Sequence, residues 1–196
     1  MASRILPQEF YEDDPATVAV KLLGSILVRR IGEMRLSCMI VETEAYYGPE
    51  DPASRARKGG DLRRVMMGDA GVALVYGVHK NWLLNIVAHK KGEAGAVLIR
   101  ACEPLEGVEL MCKLRGLKGK SLTSLTSGPG RLTKALAIDK SFHEKPVYTM
   151  EHGLWVEEGI RVVPEKIGRS HRIGVSADLP IPLRFYILGN KFVSRK

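Results

Sequence analysis

Cysteine is scarce in this sequence, and the cysteines present follow no recognisable pattern. Cys38, Cys102 and Cys112 are an odd number at scattered positions. Their number and spacing argue against a disulfide scaffold and against a zinc site with CxxC spacing. We therefore expect the protein to reside in a reducing compartment.

Long apolar runs are also absent. No stretch approaches the ~20 apolar residues that a membrane-spanning helix needs. The first residues, Met1 to Arg4, lead towards polar and acidic positions and lack the apolar core of a secretory signal. The expected location is therefore intracellular, in the cytoplasm or nucleoid, or in the nucleus of a eukaryote, with no membrane partner.

Signatures of metal and nucleotide sites are missing too. The five histidines show no HExxH or comparable ligand spacing. The stretches Gly68-Asp-Ala-Gly71 and Ser127-Gly-Pro-Gly130 fit neither a P-loop nor a dinucleotide fingerprint. The second could still present the amides of a helix start to a phosphate. We expect no metal and no cofactor.

What the sequence does contain is typical of one globular domain. Of its 196 residues, 45% are hydrophobic and 27% are charged, and the mean hydropathy is −0.06. These values argue against disordered, fibrous and membrane proteins. Ordinary domain sizes favour a single domain over residues 1–196 rather than two small ones.

Positive charge predominates, with 30 Lys and Arg against 22 Asp and Glu, a formal net charge of +8. Such a field attracts polyanions, and nucleic acid is the first candidate partner. Solubility alone would be the simpler explanation of the charge. The bases are clustered, however: they gather in Arg55–Lys58, at Arg63 and Arg64, in His89–Lys91 and from Lys113 to Lys120.

Local signals predict both helices and strands. Asp14 followed by Pro15, with Gly24 beyond the apolar run, is typical of a capped helix. Residues 25–30 and 35–41 predict a hairpin around Ile31-Gly32-Glu33.

Further strands are expected at residues 72–78, 83–88, 96–102, 159–163 and 183–188, further helices at 104–114 and 131–138, and a long functional loop at 48–71. The order lacks a regular βαβ rhythm. It favours an α+β fold, a single mixed domain with a curved, largely antiparallel sheet flanked by helices.

Two carboxylates follow an apolar strand. Side chains at alternate positions of a strand share one face, and the even positions from Leu36 through Cys38 to Ile40 continue into Glu42, Glu44 and Tyr46. The pattern predicts an apolar face that leads into an acidic and aromatic site. Alternatively, the strand ends at Val41 and both glutamates are solvated.

An arginine interrupts the apolar run from Ala96 to Cys102. If Arg100 points inward, its guanidinium needs a carboxylate partner, and Glu42, Glu44 and Glu103 are the candidates. Such a pair would keep the acid ionised, as a general base requires. An outward-facing Arg100 is the alternative.

Polar residues near residue 80 suggest a pocket or an ordinary hairpin. Asn85 stands in an apolar run, where it either satisfies the core or lines a pocket. Tyr76 precedes a turn that runs from Val78 to Asn81 and contains basic groups.

Several of these motifs, in order along nearly the whole chain, resemble the alkyladenine (3-methyladenine) DNA glycosylase family. They are Val41-Glu-Thr-Glu-Ala-Tyr46 with Gly48-Pro-Glu-Asp51, Leu98-Ile-Arg-Ala101 with Glu103-Pro104, Gly128-Pro-Gly-Arg-Leu132 with Ala135-Leu-Ala-Ile138, and Pro182-Leu-Arg-Phe-Tyr186 with Gly189-Asn190. The resemblance implies a monomer that flips a damaged purine (alkylated adenine, hypoxanthine or ethenoadenine) out of duplex DNA. It also implies hydrolysis of the N-glycosidic bond without metal or cofactor, leaving an abasic site.

The resemblance also implies residue roles. Glu44 matches the family's general base, Arg100 the arginine that helps to hold the attacking water, and Tyr46 a ring that stacks on the extruded base. Asn85 and Tyr76 match pocket positions. Arg55 stands where the family usually has a histidine, which bears on the range of lesions more than on the reaction.

Other residues are expected to contact DNA. The side chain that fills the gap left by the flipped nucleotide is either Val78 or His79, and the planar, stackable imidazole favours His79. The basic residues expected to hold the duplex are Lys80, Arg57, Arg63, Arg64 and Arg131.

Two other functional classes remain open from the sequence. One is a nucleic-acid-binding module that keeps this fold without catalysis, against which Glu44 and Arg100 argue. The other is a nucleoside hydrolase acting on small molecules, which would not need the basic loops.

Overall fold

The computed structural model describes residues 4–117 and 122–195. This part of the chain contains one eight-stranded sheet, in which every pairing is antiparallel, and four α-helices. The strands are β1 Ile26–Ile31, β2 Met34–Tyr47, β3 Ala73–Val78, β4 Asn81–Val87, β5 Gly95–Glu106, β6 Leu154–Glu157, β7 Ile167–Ser170 and β8 Arg184–Ile187. The helices are α1 Pro15–Lys21, α2 Gly60–Met66, α3 Val108–Arg115 and α4 Pro129–Ala135.

The strand order is β3-β4-β5-β2-β1-β6, and β8 also pairs with β2 and carries β7. The predicted α+β class and largely antiparallel sheet are confirmed. The long strands β2 and β5 lie at the centre of this order and pair with each other over most of their length. Within the described residues, no helix is both long enough and apolar enough to cross a membrane.

Helix α1 begins where the sequence predicts. The Asp14 carboxylate accepts hydrogen bonds from the amides of Ala16 and Thr17, at 2.9 and 3.1 Å, and Pro15 occupies the first helical position. Beyond the helix, Gly24 has a φ of +87°, and a Cβ there would lie 2.2 Å from a backbone oxygen of Ile160. Glycine is therefore required at this turn.

The predicted hairpin of β1 and β2 is confirmed, but the expected continuity of one face along β2 is wrong. Ile40 pairs with Cys102 and Glu42 with Ala101, which leaves Val41 as the extra residue of a β-bulge. Leu36, Cys38 and Ile40 before the bulge, and Ala45 after it, all pack in the main core. The bulge shifts the alternation by one residue, so Glu42, Glu44 and Tyr46 point away from that core.

Other predicted elements are wrong in extent. Residues 104–106 continue β5, and α3 begins only at Val108, after Gly107 with its φ of +71°. Residues 159–163 form no strand, and the strand of that region is β6, paired with β1. The expected loop at residues 48–71 contains a 3₁₀ helix, Arg55–Lys58, and α2. Helix α4 covers residues 129–135 rather than 131–138.

Candidate active site

Glu42 forms the centre of a buried ionic cluster. Its Oε1 accepts hydrogen bonds from Nε of Arg100 at 3.2 Å and from Nε of Arg184 at 2.7 Å. The amide of Ser194 donates to Oε2 at 2.6 Å, and the Ser194 hydroxyl donates to Oε1. Glu42 is therefore fully engaged by protein groups, and the expectation of a buried Arg100 with a carboxylate partner is confirmed.

Glu44 is also fully buried, which contradicts the alternative of a solvated glutamate. Its Oε1 accepts a hydrogen bond from the amide of Ile173 at 2.7 Å and lies 3.4 Å from Nη1 of Arg100. Its Oε2 accepts a hydrogen bond from the Tyr46 hydroxyl at 2.8 Å. Burial raises the pKa of Glu44 above that of an ordinary glutamate, while Arg100 and the two hydrogen bonds oppose the rise.

A cavity of about 570 Å³ lies beside this cluster. Glu44 itself is not in the cavity wall, but its three neighbours Tyr46, Arg100 and Ile173 are. The wall also contains Pro52, Ala53, Ser54, Arg55, Lys58, Tyr76, Val78, His79, Asn81, Leu83, Leu98, Pro129, Gly130 and residues 174–176. The carboxylate therefore lies one side chain behind a space open to a ligand.

One face of the Tyr46 ring is covered by Arg172, which the sequence analysis missed. The guanidinium carbon of Arg172 lies 4.6 Å from the ring centroid, a cation–π distance. Arg172 is fixed by two hydrogen bonds to Asp51, at 2.6 and 2.7 Å, by Asp178 and by the carbonyl of Ala45. No sequence signal marks it, because it lies in an irregular segment more than 120 residues from its partners Ala45 and Asp51.

Tyr76, Arg55 and Asn85 form another part of the site. The guanidinium carbon of Arg55 lies 5.4 Å from the centroid of the Tyr76 ring, and both residues line the cavity. Asn85 is buried behind this wall, where its Nδ2 donates to the carbonyl of Leu74 at 3.1 Å. Burial raises the pKa of the Tyr76 phenol, while Arg55 and then Asn85 oppose the rise.

The turn between β3 and β4 reaches the cavity. Val78 pairs with Asn81, so the connection is a two-residue turn of His79 and Lys80. Both turn residues have positive φ, +47° and +63°, which residues other than glycine rarely adopt. The Asn81 side chain donates to the His79 carbonyl at 3.0 Å. Val78 and His79 line the cavity, whereas Lys80 is exposed and does not.

A second groove adjoins the cavity and is rich in arginine. Its wall contains Arg115, Arg131 and Arg195, and it shares Asn81, Arg100, Pro129, Gly130 and Ile173 with the cavity. Burial, and then the charge of Arg131, lower the pKa of Arg115. Among residues 4–117 and 122–195, the lining of this groove contains arginines and no acidic residue.

The other basic residues expected on DNA lie elsewhere. Arg57 is exposed beside the cavity but not in its wall. Arg63 lines a separate depression beside Tyr47 and Glu50, and Arg64 forms ion pairs with Asp61 and Glu144. Of the basic stretch from Lys113 to Lys120, the last three residues lie outside the described part of the chain.

One group of potential metal ligands exists among the described residues. Single ligand atoms of Asp61, His143 and Glu144 lie within 4.8 Å of one another. Arg64 and Lys140 already pair with these carboxylates. The cationic neighbours make this surface cluster an ion-pair network rather than a cation site.

Comparison with known proteins gives one consistent result. The sequence pattern of the methylpurine-DNA glycosylase (MPG) family matches residues 9–191. A protein of Aeropyrum pernix, provisionally described as a 3-methyladenine DNA glycosylase, is 47% identical over 98% of this chain and 94% of its own. Proteins with the same description from Carboxydothermus hydrogenoformans and Methanocella arvoryzae are 42% and 41% identical, each over 98% of this chain and over 100% and 96% of their own lengths. With these matches over nearly its whole length, the chain belongs to the methylpurine-DNA glycosylase family of DNA-acting hydrolases.

Proposed function

We propose that this protein, acting as a monomer and as one domain over residues 1–196, removes damaged purines from duplex DNA and leaves an abasic site. The observation that carries the proposal is the buried Glu44, held between Arg100 and the amide of Ile173 directly behind a cavity lined by Tyr46 and Tyr76. The relatives' descriptions as 3-methyladenine DNA glycosylases support the same chemistry.

In the proposed reaction, water is the nucleophile. The bond between C1′ of the sugar and the purine nitrogen breaks, and its electron pair goes to the base. The water oxygen bonds to C1′, and Glu44 accepts the water proton. Because glycosidic cleavage passes through an oxocarbenium-like state, the negative charge of Glu44 also stabilises the sugar.

Arg100 has two functions in this scheme. Its charge favours the ionised form of Glu44 against the effect of burial, and it lies in the cavity wall, where a donor could orient water. The Tyr46 hydroxyl occupies Oε2 of Glu44 in this structure. In the proposed reaction, water binds Oε2 beside that hydroxyl, since a carboxylate oxygen can accept more than one hydrogen bond.

The cavity and the turn support a flipped nucleotide. A volume of about 570 Å³ is within the range of small-molecule sites, and the Tyr46 face that Arg172 leaves uncovered is available for stacking. Flipping costs a few kcal/mol, which stacking in the pocket partly offsets. His79, or else Val78, would fill the gap in the duplex from its place at the cavity wall.

The arginine-rich groove supports binding of the DNA backbone. Arg115, Arg131 and Arg195 line it directly beside the cavity, so phosphates flanking a flipped nucleotide would meet them. Arginine suits phosphate because it presents several donors in a fixed plane.

The test is a base-release assay. Duplexes containing hypoxanthine, ethenoadenine or 3-methyladenine are incubated with the protein, and the strands are then treated with alkali to cleave abasic sites. We expect alkali-dependent cleavage at the lesion and none without alkali, since a monofunctional enzyme leaves the strand intact. Absence of release from all three substrates would refute the proposal.

Assays with the same protein and duplexes distinguish the competing functional classes. A binding module without catalysis would retain salt-dependent affinity for DNA but release no base. A small-molecule hydrolase would cleave free nucleosides faster than duplex lesions. We expect release from duplexes and none from free nucleosides.

A further inference from the structure

The described residues that line the cavity carry positive charge and no carboxylate. Their charged groups are Arg55, Lys58 and Arg100, with the imidazole of His79 beside them. Arg100 is neutralised by Glu42 and Glu44. Within the described residues, Arg55 and Lys58 have no carboxylate oxygen within 4.0 Å.

Arg55 is the unpaired cation that lies inside the site. It begins the 3₁₀ helix Arg55–Lys58, which the Ser54 hydroxyl caps by accepting from the amide of Ala56 at 3.1 Å. The side chain of Ala56 is fully buried and fixes the helix to the domain. Arg55 is half-buried over the Tyr76 ring, whereas Lys58 is exposed at the rim, where a DNA phosphate can neutralise it.

We propose, on the basis of the glycosylase function above, that Arg55 determines specificity: it makes the enzyme favour lesions whose base is uncharged over lesions whose base is a cation. Hypoxanthine is a base of the first class. Purines methylated at N3 or N7 and still attached to the sugar, such as 7-methylguanine, carry a formal positive charge and are of the second class.

The reason is the direction in which charge moves during cleavage. When the C1′–N bond of a neutral lesion breaks, the electron pair makes the departing purine negative until it takes a proton from solvent. A nearby guanidinium stabilises that charge in the transition state. A methylated purine enters as a cation and leaves as a neutral base. Arg55 therefore repels it on binding and does not stabilise it as it departs.

The size of the effect follows from Coulomb's law. One unit charge at the distance of a base stacked in the cavity, in a partly shielded site, changes relative rates by on the order of 10-fold. The effect applies to kcat/KM, which compares the transition state with free enzyme and free DNA.

The experiment measures kcat/KM for a hypoxanthine duplex and a 7-methylguanine duplex with three proteins: wild type, Arg55→Gln and Arg57→Gln. Arg57 is the matched control, since it lies two residues further along the same 3₁₀ helix, is exposed and does not line the cavity. Each rate is divided by the uncatalysed rate for the same lesion, which removes the intrinsic lability of the methylated base.

We expect the wild type to accelerate hypoxanthine release more than 7-methylguanine release. Arg55→Gln should lower kcat/KM for hypoxanthine about 10-fold and leave that for 7-methylguanine unchanged or raised. Arg57→Gln should change both by the same factor. The two lesions are compared within each variant. Partial unfolding would lower both rates by the same factor and therefore cannot produce this result.

Two results would overturn the inference while leaving the glycosylase function intact. One is an equal fall for both lesions in Arg55→Gln, which would mean that Arg55 only shapes the cavity. The other is a wild type that accelerates release of the cationic lesion more. Failure to release either base would instead refute the glycosylase function, and this inference with it.

Discussion

Glu42 and Glu44 lie on the same side of β2, are both fully buried, and differ in what surrounds them. Glu42 receives donors from Arg100, Arg184 and Ser194, and of these three residues Arg100 alone lines the cavity. Glu44 has fewer donors, and each belongs to a residue that lines the cavity. The first glutamate holds the cluster together, and the second is the one that we propose as the general base.

The first prediction separates these two roles. Glu44→Gln should lower single-turnover base release by about 10²- to 10⁴-fold, because an amide cannot accept the water proton, while lesion binding persists. Glu42→Gln should instead lower the free energy of unfolding by about 3–5 kcal/mol, since Arg100 and Arg184 then lose their shared charged partner. Single-turnover rates and denaturant unfolding curves measure these two effects. Normal base release by Glu44→Gln, together with a folded but inactive Glu42→Gln, would reverse the assignment.

The second prediction concerns the pH profile. Burial raises the pKa of Glu44, and the Tyr46 hydroxyl bond lowers it. Tyr46→Phe keeps the ring but removes that bond, so the pKa of Glu44 should rise further. A general base works when deprotonated, so the acidic limb of kcat/KM should move to higher pH.

The control for this shift is Tyr47→Phe. The Tyr47 hydroxyl donates to Asp14 at 3.1 Å, and its ring packs against the main core rather than the cavity. Its profile should match the wild type. An unshifted acidic limb in Tyr46→Phe would show that Glu44 is not the group that titrates.

At the scale of elements, the turn between β3 and β4 carries the third prediction. His79 and Lys80 adopt the left-handed conformations of a tight two-residue hairpin turn, and His79 lines the cavity. If His79 fills the gap of a flipped nucleotide, His79→Ala should slow release of ethenoadenine from duplexes and reduce the fluorescence change on binding. Release from single strands should change little.

Val78→Ala is the comparison for this turn, because Val78 also lines the cavity. A loss confined to Val78→Ala would assign the wedge to Val78. Equal effects of His79→Ala on duplex and single-stranded substrates, or no effect on either, would exclude His79 as the wedge.

The fourth prediction concerns the irregular segment that contains Arg172, which is tied to the end of β2 through Asp51. Both side chains are fully buried, and Asp51→Asn weakens the charged hydrogen bonds to Arg172 while Asp178 still pairs with it, so the change should cost about 1.5–3 kcal/mol. Exposed Glu50→Gln, one position away, should cost little. Denaturant unfolding measures both; equal stabilities would show that the segment is held by other contacts.

This pair also predicts a pH dependence of stability. Burial raises the pKa of Asp51, but the hydrogen bonds from Arg172 and from backbone amides outweigh it, and the net pKa is lowered. A lowered folded-state pKa contributes stability above the unfolded pKa, which is lost as pH falls through the folded value. The wild type should therefore lose more stability than Asp51→Asn on acidification.

At the scale of the whole molecule, the net charge of +8 is not spread evenly. Within the described residues, arginines gather in the groove beside the cavity, and many other bases are paired with acids. DNA affinity should therefore fall with salt through a limited number of phosphate contacts.

The fifth prediction tests that geometry. Arg131→Gln should weaken binding to lesion and undamaged duplexes alike and reduce the slope of log K against log salt by about one. Lys21→Gln removes the same charge from a pair with Asp13 and should leave the slope unchanged. Equal slopes for all three proteins would place the DNA elsewhere.

How much of this could be predicted from the sequence depends on the range of each interaction. Asp14, Pro15 and Gly24 delimit α1 through contacts within a few residues, and the hairpin depends on its own turn. That a buried Arg100 needs a carboxylate can likewise be predicted from the sequence, because burying an unpaired charge costs free energy in any fold.

Only the tertiary structure decided which groups meet. The bulge at Val41, which turns Glu42 and Glu44 away from the main core, arises from the pairing of β2 with β5 and leaves no mark in the strand itself. Ile173 and Arg172 reach the site from more than 120 residues away. Composition and local pattern determined that this chain would be basic, would have an α+β fold and would need a carboxylate partner for Arg100. Sheet register and packing depend on all strands at once, and they decided that Arg100 and its partners lie beside one cavity.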